Sequence, residues 1–179
     1  MGTNEMKLHL FSICGCLILA GCGPSATEAD VATAVFGSTE NLNAMKSATK
    51  VTACRIKEPL AAARGQRTSA DEFLAQHVEE KWIDFSAAQI DQFRNLLRAP
   101  NQNFFSSSSE CIPHYGVRLR FEHDGEAIDV NLCFACKQLA VVRGREIVGE
   151  GEFHRGNREL VTICKELFPD DPEIQALKP

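Results

Sequence analysis

The sequence has few aromatic residues, no excess of positive charge and no long apolar run. Among its 179 residues there are one Trp and one Tyr, and 24 Asp and Glu outnumber 19 Lys and Arg, for a net charge of −5. An acidic chain does not attract a phosphate backbone, so nucleic acid is not an expected partner. The sequence also contains no P-loop, dinucleotide-binding fingerprint or HExxH motif, so these three enzyme classes are not indicated.

What the sequence does contain is a globular composition, with 44% hydrophobic residues. Its length suits one domain plus a targeting segment. The longest apolar stretch, residues 8–20, has 13 residues and is interrupted only by His9 and Ser12. It is shorter than the ~20 residues needed to span a bilayer and has the length of a signal-peptide core. Lys7 supplies the positive charge before it, and Glu5 would cancel that charge, which favours Met6 over Met1 as the first residue.

The residues after this stretch, Leu19-Ala20-Gly21-Cys22, resemble the lipobox of bacterial lipoproteins. The resemblance implies that residues 1–21 are a signal peptide that is removed before Cys22. It also implies that the Cys22 thiol carries a diacylglyceryl group and that its amino group carries a fatty acid such as palmitate. The membrane is then a partner through this anchor, on the exported face. Gly23 stands where an Asp would retain a lipoprotein in the inner membrane, which fits outer-membrane sorting, with the cell membrane as the alternative.

Residues 22–49 are predicted to be a lipid-attached tether with one short helix, because the segment is rich in small and polar residues. A flexible tether of this length has an r.m.s. span of about 25–30 Å. Residues 50–179 are predicted to form a single globular domain.

The domain pattern predicts an α+β fold with a small antiparallel sheet flanked by helices. Two alternating runs around Asp124-Gly125 predict a β-hairpin. Ser86 followed by Gln89 forms a capping box before a helical stripe that Pro100 ends. A second helical stripe is predicted from an Asn157 cap to Pro169. Clustered strands with helices before and after are typical of this class.

Five cysteines remain after signal cleavage and lipidation: Cys54, Cys111, Cys133, Cys136 and Cys164. Export to an oxidising compartment favours disulfides, and we take Cys111, Cys133 and Cys136 as the candidates. Sequence alone does not choose the pairing. Cys164 lies on the apolar stripe of a helix, which suits a small buried hydrophobic residue.

Two other interpretations of these cysteines stay open. Cys133 and Cys136 have thioredoxin-like spacing, although the flanking runs favour strands and not the helix that lowers a catalytic thiol pKa. Together with Cys111 and His114 they also have the spacing of a four-ligand zinc site. A thiol-redox or zinc-dependent envelope protein is therefore the alternative function, with zinc as its only metal cofactor.

The stretch from Cys111 through Pro113 and Gly116 to Cys133-Phe134-x-Cys136 resembles a pattern in uncharacterised bacterial lipoproteins. That resemblance implies a shared fold and cell-envelope placement, and no mechanism. We therefore predict a non-enzymatic binding or accessory module of the envelope, at the periplasmic side. Its expected partners are the membrane and either an envelope protein or a small ligand, with no catalytic residues and no cofactor other than the lipid on Cys22.

Overall fold

The computed structural model describes residues 26–57, 77–78, 81–106, 111 and 113–179. The helices are α1 (Glu28–Phe36), α2 (Thr39–Ser47), α3 (Ala87–Arg98), α4 (Pro100–Asn103), α5 (Asn157–Leu167) and α6 (Pro172–Gln175). The strands are β1 (Lys50–Lys57), β2 (His77–Val78), β3 (Ile83–Asp84), β4 (Phe105–Ser106), β5 (Val117–His123), β6 (Glu126–Cys133), β7 (Gln138–Arg143) and β8 (Glu146–Glu152). The predicted α+β class is confirmed.

All strand pairs in the described chain are antiparallel and belong to one sheet, in the order β2-β1-β5-β6-β7-β8-β4, with β3 also paired to β1. The predicted hairpin is its centre, because β5 pairs with β6 from Val117↔Leu132 to His123↔Glu126. Asp124 and Gly125 both have positive φ, 50° and 80°. This is the geometry that a two-residue Asp-Gly turn needs.

The described helices cover one face of this sheet. From β5 the residues Val117, Leu119 and Phe121 face them, and apolar residues at alternate positions of β1, β6 and β7 join the same core. Helix α3 begins at the predicted Ser86–Gln89 capping box, and its Phe93, Leu96 and Leu97 are buried in this core. The capping box and the helical spacing therefore place α3 as the sequence indicates.

Helix α5 follows the predicted stripe, but its predicted cap is wrong. Gly156 is the N-cap and makes no side-chain cap hydrogen bond, while Asn157 is the first helical residue. The Asn157 amide is buried and donates to the Lys178 carbonyl, 3.3 Å away. Its side chain thus binds the C-terminal segment, which sequence spacing does not reveal. Ser69 and Glu72 also have the spacing of a capping box in the sequence, and both lie outside the described residues.

The predicted tether over residues 22–49 does not hold for residues 28–47, because α1 and α2 are part of the core. Val35, Phe36 and Leu42 are each at most 1% exposed. Helix α1 also lies directly on the sheet edge, since a Cβ on Gly149 would stand 2.3 Å from the Val35 carbonyl oxygen. The Gly-rich sequence of β8, which gave little strand signal, is what allows this close approach.

Candidate functional site

A cleft of about 690 Å³ separates the outer side of α2 from the ends of β5 and β6. Buried Phe121 and Ile128 form its apolar floor. The remaining lining residues are polar or small and come from α2, from the hairpin turn and from the end of β7: Glu40, Asn43, Ala44, Ser47, His123, Asp124, Glu126 and Arg143. The Asp-Gly turn positions one wall, and the packing of α2 positions the other.

The charge on the cleft rim is mostly negative, with three carboxylates and one guanidinium. Arg143 is fixed by several partners: it pairs with Glu126, lies 3.6 Å from the Glu40 carboxylate and donates to Asn41 Oδ1 at 3.0 Å. The hydrogen bond and charge of Glu126 raise the pKa of Arg143 above its usual value. Arg143 therefore links α2 to the sheet, and Asp124 remains 90% exposed at the rim.

Three cleft residues form a chain that resembles a serine-hydrolase relay in composition. Ser47 Oγ lies 3.4 Å from His123 Nδ1, and His123 Nε2 lies 3.3 Å from an Asp124 carboxylate oxygen. However, Ser47 Oγ also lies 2.8 Å from the Asn43 carbonyl of its own helix and donates to it. With its proton committed to α2, the hydroxyl is not activated by the imidazole. We interpret the chain as a link between the end of α2 and the hairpin.

The opposite face of the sheet carries a row of buried polar residues. Paired positions across β1, β5 and β6 place Cys54, Arg118 and Asn131 side by side. Arg118 Nε donates to Asn131 Oδ1 at 2.9 Å, and both residues are more than nine-tenths buried. Among the residues the structure describes, Asn131 Nδ2 is a buried nitrogen with no hydrogen-bond partner. A buried donor left unpaired costs about 1–3 kcal/mol.

Next to this row, Arg120 and Asp129 form a two-point ion pair, with both N–O distances 2.8 Å. The hydrogen bond that Arg120 donates to Asp129 is the main reason that the pKa of Arg120 is raised. The Arg120 guanidinium also lies 4.5 Å from the Trp82 ring centre. A hollow of about 400 Å³ is lined by four charged residues, and they form two ion pairs, Arg120 with Asp129 and Arg143 with Glu126.

The structure joins Cys111 and Cys136 in a disulfide that closes a separation of 25 residues. The bond uses two of the three candidates, and the third, Cys133, is instead a buried free thiol. Cys133 is the last residue of β6 and is paired with Gln138 of β7. Cys136 lies in the turn that follows, outside this strand pairing. Cys133 and Cys136 are close in sequence, but this register separates their roles.

The zinc and redox alternatives use the same sulfurs. The Cys111 and Cys136 sulfurs are bonded to each other, so in this form they cannot serve as thiolate ligands, and Cys136 cannot pair with Cys133. His114 lies exposed near this disulfide in sequence. Within the described ranges, no group of three or more His, Cys, Asp or Glu side chains is arranged to hold a metal ion.

Burial suppresses the acidity of two other thiols. It raises the pKa of Cys54 to about 11, against a smaller opposing effect of the Arg118 charge. It raises the pKa of Cys164 to about 12. Both are fully protonated at neutral pH, and a thiol without thiolate is a poor nucleophile.

Comparison with family models, curated proteins and solved structures found no match for this chain. None of the helices in the described part of the chain is long and apolar enough to cross a membrane.

The sequence located the turn wall of the cleft through Asp124-Gly125, but it missed the α2 wall. The available signal was Ser38, whose side chain caps α2, ahead of buried Leu42 and Met45. The Asn- and Ser-rich composition concealed it.

Proposed function

We propose that this protein is a lipid-anchored binding or accessory protein of the bacterial cell envelope, attached through Cys22. The observation that carries the proposal is Leu19-Ala20-Gly21-Cys22 directly behind an apolar run of signal-peptide length. The Cys111–Cys136 disulfide supports export, because such bonds persist mainly in oxidising compartments. Gly23 favours the outer membrane as the destination.

Several features of the described residues support a binding role over catalysis. The Cys54 and Cys164 thiols are protonated at neutral pH, and the Ser47 hydroxyl is committed to its helix. Arg120 and Asp129 neutralise each other. These groups contribute to folding, and their reactivity is low for the reasons given above.

The cleft beside α2 is the proposed binding site. Its volume lies within the range of small-molecule pockets, roughly 300–1,000 Å³. The floor of Phe121 and Ile128 suits an apolar group, while the carboxylates of Glu40, Asp124 and Glu126 favour a positive charge on the ligand. We therefore propose an amphiphilic ligand with an ammonium group, from a small molecule or from an envelope protein side chain.

Lipidation is tested by palmitate labelling of cells that express the full-length chain and its Cys22→Ser variant. The parent should incorporate label and accumulate as a precursor under globomycin, and the variant should do neither. Label on Cys22→Ser protein would contradict the anchor.

The cleft is tested by thermal unfolding with hexylammonium chloride, with hexanol and hexanoate as matched controls. Binding to the folded state raises the melting temperature, so hexylammonium should raise it most. A Glu126→Gln, Glu40→Gln variant should lose the advantage of hexylammonium over hexanol. Equal effects of the three compounds on the parent would contradict a cation-selective cleft.

A further inference from the structure

The part of the chain that the structure describes starts at residue 26, four residues after the proposed lipid attachment at Cys22. Ala26 is held by its carbonyl, which accepts a hydrogen bond from Asn101 Nδ2 at 3.3 Å. Thr27 is the N-cap of α1 and forms a capping box with Asp30. The Val31 amide donates to the Thr27 carbonyl at 3.2 Å. These contacts tie residues 26 and 27 to the domain.

Separating helix α1 from the rest of the domain would cost free energy, because one side of the helix is buried. Phe36 is 1% exposed and packs edge-to-face on Phe104, with ring centres 5.3 Å apart. The helix C-terminus at Gly37 is in direct contact with the Val148 backbone. Releasing α1 as a tether would expose this core, which is why we measure the distance to Cys22 from residue 26.

Four peptide links then separate the Cys22 and Ala26 Cα atoms. Even fully extended, this segment spans at most about 14 Å. It is about half the span that a flexible tether over residues 22–49 would have, about 25–30 Å.

We infer that the domain end around Ala26 lies against the bilayer to which Cys22 is attached, an inference that rests on the proposed lipidation. This membrane-side end consists of Ala26, Glu28, Lys46, Asn101 and Gln102. Lys46 joins it because its Nζ lies 2.6 Å from the Glu28 carboxylate, and Gln102 because it follows Asn101 on α4.

The short covalent link, and not lipid charge, holds this end at the membrane. Glu28 and Lys46 neutralise each other, and Asp30 leaves a small negative excess. An anionic lipid surface therefore adds no attraction here.

The experiment uses the full-length lipidated protein reconstituted in phosphatidylcholine vesicles that contain a headgroup-labelled energy acceptor. A donor dye is placed through an unnatural amino acid at Gln102 or, as a matched control, at Arg145. Both positions are exposed. Arg145 lies two residues from Arg143, which contacts Asn41 at the opposite end of the helix pair. Each dye position is also measured in a second protein, which carries a flexible Gly/Ser insert of roughly 20 residues after Gly23.

We expect stronger energy transfer from Gln102 than from Arg145 in the parent. The insert should roughly double the distance between Ala26 and the membrane, to about 25–30 Å, and should remove the difference between the two dyes. Replacing a third of the lipid with phosphatidylglycerol should change neither result.

Equal transfer from the two positions in the parent, with no effect of the insert on vesicle-bound protein, would overturn the inference and leave lipidation intact. Protein that lacks lipid and fails to remain on the vesicles would instead overturn the proposed anchor, and this inference with it. A melting temperature that is the same for parent and insert variant shows that the fold is retained.

Discussion

The two faces of the sheet are built from the same alternating strands but are stabilised by different chemistry. On β5, Val117, Leu119 and Phe121 pack under the described helices, whereas Arg118 and Arg120 face the other way. The helix face is stabilised by apolar burial. The other face, called the polar face here, adds polar contacts and a disulfide to a smaller apolar cluster that includes Ile56, Tyr115 and Ala140. These are the Arg118–Asn131 hydrogen bond, the Arg120–Asp129 ion pair and the Cys111–Cys136 disulfide.

This difference shows how alternation alone misleads about exposure. In a half-solvated antiparallel sheet the polar positions face water, and the Arg and Asn residues of β5 and β6 are typical of such positions. Here Arg118 is 8% exposed and Asn131 is fully buried. Each buried polar group needs a specific partner. On the polar face we therefore expect the stability cost of a substitution to depend on whether the partner is also replaced. On the helix face we expect the cost to depend on the side-chain volume that is lost.

The largest expected effect is on the helix face. Phe36→Ala should lower the free energy of unfolding by about 3–5 kcal/mol, because it removes a buried aromatic ring from the contact with Phe104. Urea unfolding measures this, with Thr33→Ala on the exposed side of the same helix as the control. An unchanged urea midpoint for Phe36→Ala would mean that α1 does not belong to the domain.

The next effect is on the polar face. Replacing Cys111 and Cys136 with Ser should lower the free energy of unfolding by about 3 kcal/mol, as expected for closing a loop of this size. Reductant should lower the melting temperature of the parent to that of the double variant and leave the variant unchanged. Cys133→Ala is the control, and it should keep the parent's response to reductant because Cys133 is not in the bond.

If instead the Cys133→Ala variant lost its response to reductant, the disulfide would involve Cys133 in solution. That result would reopen the pairing of Cys133 with either Cys111 or Cys136, and the redox alternative requires the pairing with Cys136.

Sequence reasoning succeeded where the signal is local. The Asp124-Gly125 turn and the Ser86–Gln89 capping box each fix backbone geometry through neighbouring residues, so the hairpin and α3 follow from the sequence. Sequence reasoning failed where the position of an element depends on contacts with residues that are distant in the chain. The burial of α1 depends on Gly149, more than 110 positions away in the chain, and one α5 contact is between Asn157 and Lys178.

The candidate site divides in the same way. The hairpin wall of the cleft could be predicted, but the α2 wall could not, because α2 is positioned by its packing and by Arg143 reaching Asn41. The cysteine pairing was restricted to three residues, and the final choice between Cys133 and Cys136 depended on the β6–β7 register.

A third, smaller effect tests the pairwise character of the polar face. Asn131→Leu removes the acceptor of buried Arg118 Nε, which should cost about 1–3 kcal/mol of unfolding free energy. Adding Arg118→Met removes the unpaired cation, so the double variant should be more stable than Asn131→Leu alone. The same cycle on exposed Arg98 and Asn95, also 2.9 Å apart, should show a coupling of about 0.5 kcal/mol or less.

Additive effects of the two substitutions at Arg118 and Asn131 would contradict a specific pair. The face would then tolerate these groups individually, as a solvated surface does.

The last effect is absent at neutral pH and compares one thiol from each face as pH rises. The folded-state pKa values of Cys54 and Cys164 are about 11 and about 12, above the ordinary thiol value of about 8.5. The folded state therefore keeps protons that the unfolded chain releases, so stability is complete below about pH 8.5 and falls as pH rises toward the folded values. Each thiol should contribute a slope of about 1.4 kcal/mol per pH unit in that window.

Urea unfolding between pH 8 and about 10.5 should thus show a shallower slope for Cys54→Ala and for Cys164→Ala than for the parent, since other alkaline titrations are common to all three. If only Cys164→Ala reduces the slope, Cys54 titrates freely in the folded protein, and the polar face is open to water at β1 while the helix face is sealed.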